Sequence, residues 1–282
     1  MHLIDGTKIA KTIQDQMAKA ISSLSHRKPG LAFILVGKNP ASQTYIRMKK
    51  KRCSEVGILS FDCELPEAVT EAQLLEEIKK LNHNPAIDGI LVQLPLPEHI
   101  NTLNIVSAVD PAKDVDGFHP LNVGKMLLGE PGGFLPCTPY GIQVLLTHAQ
   151  IPVHGKHVVI VGRSNIVGKP LAAILMQKAP HANATVTIAH SQTEHLNEIC
   201  RSADILVAAM GQPRFIKKEM IREGAVVVDV GINRVQGKIV GDVDFDAVAP
   251  LCSHITPVPG GVGPMTVALL LSNTLLSYQR KK

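Results

Sequence analysis

The sequence predicts an α/β fold in two domains, and three observations point there. Apolar runs rich in Val, Ile and Leu alternate with longer amphipathic stretches, the pattern of buried parallel strands separated by crossover helices. At 282 residues the chain is long for one core and suits two domains of ordinary size. Between residues 109 and 138 the alternation breaks into Pro, Gly, Asp and His, a stretch dense in turn formers that reads as a domain junction carrying ligand contacts.

The elements follow in order from period and punctuation. Helices are expected over 8–24, 41–56, 71–82, 138–149, 169–178 and 267–278, and strands over 31–36, 89–94, 157–161, 184–189, 204–208 and 225–230. Asn39-Pro40 and Thr138-Pro139 each read as an N-cap followed by proline at the first helical position, where the missing N–H costs nothing. A second Pro- and Gly-rich stretch, Thr256 to Pro264, precedes the last apolar helix, which can therefore return to pack on the first domain. The expected division is residues 1–138, joined by 264–282, as one domain and 139–263 as the other.

Composition narrows the class. No apolar run approaches the roughly 18–20 residues of a membrane span, and Met1 to Thr7 lacks the basic and apolar regions of a signal or transit peptide. The five cysteines are scattered and never spaced C-x-x-C, so neither a disulfide framework nor a metal site is expected, and a reducing cytoplasm is the natural setting. The net charge of +5 favours anionic ligands without identifying one.

Within the second domain, a strand over 157–161 runs into Gly162-Arg-Ser-Asn-Ile-Val-Gly168 and then into a helix. Glycines there let backbone approach a phosphate, and a helix N-terminus offers N–H groups and a positive dipole end. The spacing departs from G-x-G-x-x-G, since Ser164 stands at the second glycine position. A second strand follows at the distance of a βαβ unit, which makes a Rossmann-like dinucleotide-binding domain the better account. An NAD site usually carries an acid at the end of that strand; here stand His190 and Ser191, and Arg163 can pair with a 2′-phosphate, so NADP is the expected cofactor. The plainer alternative makes Arg163 a solvated loop charge and His190 a cap.

In the first domain, Ser42, Tyr45, Lys49 and Arg52 fall along one stripe of the helix after Pro40. Arg47 to Arg52 also supplies a basic cluster, for which a solvated face or a nucleic-acid patch are the competing accounts. Only 3% of residues are aromatic, so stacking platforms for nucleic acid are scarce and no nucleic-acid partner is expected. Gln93 ends a strand before Pro-Leu-Pro, and Asp114 and Asp116 occupy Lys113-Asp-Val-Asp-Gly-Phe118; singly, each reads as a turn or cap residue.

Together these segments resemble the methylenetetrahydrofolate dehydrogenase/cyclohydrolase family. The likeness is carried by Ala41 to Cys53, Asp88-Gly-Ile-Leu-Val-Gln-Leu-Pro-Leu-Pro97, Lys113 to Phe118, Val161 to Pro170, Asp229-Val-Gly-Ile-Asn233 and Thr256 to Thr266, six motifs in family order across nearly the whole chain. None of the motifs belongs to a separate synthetase domain, so the form expected from the likeness is the short, two-activity one. The resemblance implies that Lys49 is the central catalytic residue, that Tyr45 stacks on the aminobenzoyl part of folate, that Gln93 positions Lys49 and that Asp116 grips the pterin. It implies folate contacts from Pro259, Gly260 and Gly261, and NADP contacts from Gly162, Arg163, Ser164, Gly168, His190, Ser191, Ile232 and Thr266. Tetrahydrofolate derivatives would be the substrates and a homodimer the assembly.

The implied chemistry sets different demands. Hydride transfer from the methylene bridge needs alignment above all. Hydrolysis of the methenyl group releases a proton, so a base helps. Lys49 starts from a reference pKa of about 10.4 and needs burial or a neighbouring cation such as Lys51 to act as one. General base and water-organising group are both open roles for it. The rival accounts are an unrelated Rossmann-type dehydrogenase of a small acid, which leaves Tyr45, Lys49, Gln93 and Asp116 unexplained, and a basic nucleic-acid-binding protein.

Overall fold

The computed structural model describes residues 1–281. Its strands are β1 (His2–Leu3), β2 (Gly30–Val36), β3 (Leu59–Leu65), β4 (Gly89–Val92), β5 (His157–Val161), β6 (Thr185–Ala189), β7 (Ile205–Ala208), β8 (Val226–Asp229), β9 (Asn233–Val235), β10 (Lys238–Val240) and β11 (His254–Ile255). The helices are α1 (Gly6–Ser22), α2 (Pro40–Val56), α3 (Glu71–His83), α4 (Thr102–Ala108), α5 (Pro120–Leu128), α6 (Cys137–His148), α7 (Gly168–Leu175), α8 (Leu196–Arg201), α9 (Phe245–Val248) and α10 (Val262–Arg280).

The chain divides into two compact units. One comprises Met1–Lys11, Met126–Gly129 and Pro136–Thr266; the other comprises Thr12–Lys125, Glu130–Leu135 and Val267–Lys282. The sequence placed residues 1–11 with the first domain. In the structure β1 instead pairs in parallel with β11, with Ile4 N donating to Ile255 O at 2.9 Å, so backbone pairing draws the N-terminus into the other unit.

The six-stranded unit carries a parallel sheet in the order β1-β11-β8-β7-β5-β6, with the short antiparallel hairpin β9–β10 beside it. The order reverses at β5, which places a crevice for ligands at its carboxyl end. Val159, Leu206 and Val227 on the central strands are buried together with Ile216, Val248 and Ile255.

The three-stranded unit has the parallel order β3-β2-β4. All seven residues of β2 are buried, and Ala32, Ile34 and Val36 on one face pack with Leu74 and Ile78 of α3. Strand β3 lies outside the strands expected from apolar runs. Its residues alternate apolar and polar, Leu59, Phe61, Cys63 and Leu65 against Ser60, Asp62 and Glu64, as a half-buried edge strand does, so it lacks the continuous apolar run of its neighbours. Helix α5 was also missed, inside the stretch read as a junction, because Pro, Gly and His crowd its flanks.

Caps decide the helix starts. Asn39 caps α2 as expected, its Oδ1 accepting from Ala41 N at 2.9 Å and Ser42 N at 3.2 Å. Thr138 does not cap α6. That helix begins at Cys137, its N-cap position is Pro136 with no side-chain cap, and the Thr138 hydroxyl lies 2.8 Å from that of Thr266.

A buried ion network ties the three-stranded unit together. Asp88, with 0% of its surface exposed, accepts from both terminal nitrogens of Arg27 at 2.6 and 2.7 Å, from Gly30 N at 2.9 Å and from Lys281 Nζ at 3.2 Å. Burial alone would push this carboxyl up, but Arg27, Gly30 N–H and Lys281 outweigh it and hold it below the usual carboxylate range. Ser277 Oγ of α10 lies 2.6 Å from Asp88 O and 2.8 Å from Ala112 O, so the last helix is fastened at the same point. Because the folded-state pKa is depressed, the stability Asp88 contributes is present above its unfolded pKa and is lost as pH falls through the folded one. Asp88→Asn should therefore cost on the order of 2–4 kcal/mol at pH 7, somewhat under a fully buried pair because Arg27 is partly in water. Urea midpoints should show the gap from parent shrinking below about pH 4; a gap independent of pH would refute the ionic role.

Candidate active site

In the three-stranded unit, α2 carries Tyr45 and Lys49 one turn apart, both half-buried, above the buried Ser42, Ile46 and Cys53. Lys49 Nζ lies 3.2 Å from Gln93 Oε1, and Gln93 is the first residue beyond β4. The Gln93 amide is fixed in orientation, since its Nε2 donates to Leu94 O at 2.8 Å and so turns Oε1 toward the lysine. A neutral amine retains two N–H donors and a lone pair, so Lys49 can keep this bond in either protonation state. An amide also adds no negative charge that would hold the lysine protonated.

Asp116 is half-buried on the loop after α4. That loop runs parallel to β4, with a bridge between Ile90 and Asp114 and Ile90 N donating to Lys113 O at 2.8 Å. Asp116 therefore lies two residues beyond the bridge, as Val92 does, toward the end of β4 where Gln93 begins. The two preceding residues hold the loop. Lys113 is buried and donates to the carbonyls of Leu81, Asn82 and Asn84 at the end of α3. Asp114 accepts from the N–H groups of Gly117, Phe118 and His119 and from Asn122 Nδ2. Burial pushes the Asp114 carboxyl up to about 6 against those donors, which leaves it ionised at neutral pH.

The basic cluster on α2 is partly neutralised within the fold. Lys50 pairs with Asp62 and Arg52 with Glu55, each at 2.6 Å. Lys51 is exposed and two positions from Lys49, a spacing that does not bring helical side chains face to face, so it is not the neighbouring cation the sequence suggested.

In the six-stranded unit the Gly162–Gly168 turn sits at the reversal point of the sheet. Gly162 has φ +131°, and a Cβ there would overlap Ala209 O; a Cβ on Gly168 would overlap Gly162 O. Both glycines are required by close backbone approach. The free N–H groups expected at the helix start are not free: Ser164 Oγ accepts from Val167 N at 3.1 Å and Gly168 N at 3.4 Å, and Ser164 O accepts from Lys169 N at 3.1 Å. A hydroxyl accepting in this way keeps its own hydrogen to donate to an anion. Arg163 and Ser191 are exposed, and His190 follows β6, its backbone N–H donating to Thr193 Oγ1 at 2.8 Å and its Nδ1 accepting from Gln192 N at 3.2 Å. The turn thus offers a cation and hydroxyls with no carboxylate between Ala189 and Thr193, which fits a phosphorylated ribose.

The remaining positions lie in the same unit. Ile232 is 46% exposed between β8 and β9, and Thr266 meets Thr138 as described. Gly260 has φ +111° and its carbonyl accepts from Thr7 N at 3.0 Å. For Gly261 the close backbone approach is to Gly6 at the start of α1, where a Cβ would overlap Gly261 O. Two buried carboxylates near Ile232, Asp229 and Asp242, went unremarked as candidates; burial pushes Asp229 up to about 6. Among the described residues no group of three or more His, Cys, Asp or Glu could hold a metal ion, and no helix is long and apolar enough to cross a membrane.

Two family models match successive stretches of the chain. Residues 4–116 match the catalytic domain of tetrahydrofolate dehydrogenase/cyclohydrolase, and residues 136–282 match its NAD(P)-binding domain. The chain belongs to the tetrahydrofolate dehydrogenase/cyclohydrolase family. It is 56% identical to the bifunctional protein FolD of Protochlamydia amoebophila over 99% of this chain and 98% of that one. The crystal structure of the bifunctional FolD methylenetetrahydrofolate dehydrogenase/cyclohydrolase from Campylobacter jejuni matches with a TM-score of 0.97 and 48% identity, covering 100% of both chains. A Trypanosoma brucei member of the family, solved with NADP and an inhibitor, matches with a TM-score of 0.93 and 40% identity over 99% of this chain and 97% of that one.

The Gly162–Gly168 turn should be intolerant of any Cβ. Gly162→Ala and Gly168→Ala are each expected to weaken NADPH binding by about tenfold or more, the equivalent of roughly 1.4 kcal/mol, through displacement of the turn. Titration of NADPH fluorescence measures it, and unaltered binding in both variants would show that the turn is not the cofactor's seat.

Proposed function

We propose that this chain oxidises methylenetetrahydrofolate to methenyltetrahydrofolate with NADP and then hydrolyses that product to 10-formyltetrahydrofolate, two steps of one-carbon metabolism. The observation that carries this is the 3.2 Å contact of Lys49 Nζ with an amide oxygen whose orientation is fixed. The Campylobacter relative, named for both activities, supports assigning both steps to one chain.

NADP supplies the acceptor for the hydride that leaves the methylene bridge. That step asks the protein for alignment. Asp116, as a carboxylate, accepts paired hydrogen bonds from the pterin amino group and ring nitrogen. Tyr45 stacks on the aminobenzoyl ring, and Pro259, Gly260 and Gly261 offer backbone to the folate. Arg163, Ser164 and Ser191 take the 2′-phosphate side of the cofactor, Gly162 and Gly168 admit its diphosphate, and His190, Ile232 and Thr266 complete its seat. The product cation is delocalised over the methenyl bridge, and water adds to its carbon. One proton leaves that water and the ring opens to the formyl product. Lys49 handles this proton at Nζ, held by Gln93. A homodimer acting in the cytoplasm completes the proposal; the family resemblance supports it, and sedimentation tests the assembly.

The direct experiment supplies methylenetetrahydrofolate with NADP or NAD and follows reduced cofactor and methenyl product separately. NADP should be strongly preferred, and no cofactor reduction by folded protein would end the assignment. Lys49→Met should slow hydrolysis of added methenyltetrahydrofolate by about two orders of magnitude or more, the scale of a positioned proton carrier, while sparing hydride transfer far better. Parental hydrolysis in that variant would remove Lys49 from the role. Gln93→Glu should place a negative charge beside the ammonium and shift the rising limb of the hydrolysis pH profile upward by about one unit or more; an unmoved profile would mean that Lys49 does not titrate in this step.

A further inference from the structure

Two buried carboxylates of the six-stranded unit have no part in the scheme above, yet both lie where its strands end. Asp229 closes β8, and its oxygens accept from Gly231 N at 3.0 Å, Asp242 N at 2.9 Å and Val243 N at 3.0 Å. Asp242 has 0% of its surface exposed. Its Oδ2 accepts from Met210 N at 2.8 Å and Gly211 N at 2.9 Å, and its Oδ1 from Asn233 Nδ2 at 2.9 Å. One side chain therefore holds two turns, the one that leaves β7 and the one that leaves β8 through Ile232.

The first of these turns touches the candidate cofactor seat directly. Ala209 immediately precedes the two N–H groups that Asp242 accepts, and Ala209 O is the atom against which Gly162 packs too closely for any Cβ. A shift of the 209–211 turn would thus move the floor under Gly162. Consecutive N–H groups converging on one point need a single acceptor oxygen there, and a buried donor left unmet is costly enough to make the turn rearrange. The space around this anchor is closed, since a Cβ on Gly231 would overlap Asp242 and one on Gly241 would overlap Asp229.

We propose that Asp242 is a positioning residue for the dinucleotide, setting the height of the 209–211 and 231–233 turns around Gly162 without touching the cofactor itself. The inference rests on the proposed cofactor role of the Gly162–Gly168 turn. Asn233 supplies a chemical test of it. Asp242→Asn combined with Asn233→Asp exchanges the carboxylate and the amide across one hydrogen bond, so an acceptor oxygen can still face Met210 and Gly211.

The experiment uses the full chain and reads NADPH affinity by fluorescence titration, KM for NADP in turnover, and methenyltetrahydrofolate hydrolysis without NADP. Asp242→Ala should weaken NADPH binding and raise the NADP KM by about tenfold while hydrolysis stays within about twofold of the parent. The exchanged pair should return NADPH affinity to within about threefold of the parent. NADPH affinity unchanged in Asp242→Ala overturns the proposal, as does an equal loss of hydrolysis and binding that the exchanged pair does not restore, the pattern of a residue needed only for folding. If Asp242→Ala does not fold, Asp242→Asn alone and the exchanged pair carry the same comparison. Failure of the parent to bind NADPH would instead count against the cofactor role of the turn, which separates the two outcomes.

Discussion

A carboxylate withdrawn from water must be met by cations or N–H donors, and in both units that requirement fixes the turns at strand ends. Asp88 gathers Arg27, Lys281 and the N–H of Gly30; Asp114 gathers three consecutive N–H groups; Asp229 and Asp242 gather five between them. Each such group converts a loop, which would otherwise sample many conformations, into a defined platform for the residues beside it. Asp116, Gln93, Gly162 and Ile232 all stand on or next to these platforms.

The buried acids do not behave alike as pH changes. Asp88 lies below the usual carboxylate range because Arg27 and Lys281 stand against its burial, so its contribution fades in acid. Asp114 and Asp229 meet backbone and amide donors, and burial carries both up to about 6. Their raised folded-state values give a contribution that is whole below the unfolded pKa and is lost as pH rises through about 6. The two kinds of site slope in opposite directions across the acid range. Stability there is consequently shaped by the partners of each carboxylate more than by net charge.

Much of this was legible in one dimension. Fully buried strands such as β2 and β7 announce themselves as apolar runs, and the Asn39-Pro40 start of α2 follows from backbone chemistry alone. Lys49 and Gln93 could be named from a family likeness, but their contact joins residues 44 apart and is a fact of the fold. The carboxylate anchors were hidden for the same reason: Asp242 reaches its turn donor across 32 residues, and a single Asp in a polar stretch looks like an ordinary cap. Thr138 misled in the other direction. It carries the right residue type before a proline, yet its hydroxyl lies against Thr266, and the helix simply starts one residue earlier. Local rules name what a side chain is able to do; tertiary neighbours select what it does.

The alternating pattern that concealed β3 has a further consequence. A strand at the margin of a sheet presents a row of unpaired amide and carbonyl groups, which invites another chain to add itself by hydrogen bonding. Asp62 and Glu64 interrupt the apolar residues of β3, and Lys50 is drawn over Asp62 at 2.6 Å. Charged groups set along such a margin make the approach of a second strand unfavourable. The same two carboxylates that weaken the signal of β3 as a strand protect the folded chain against edge-to-edge aggregation.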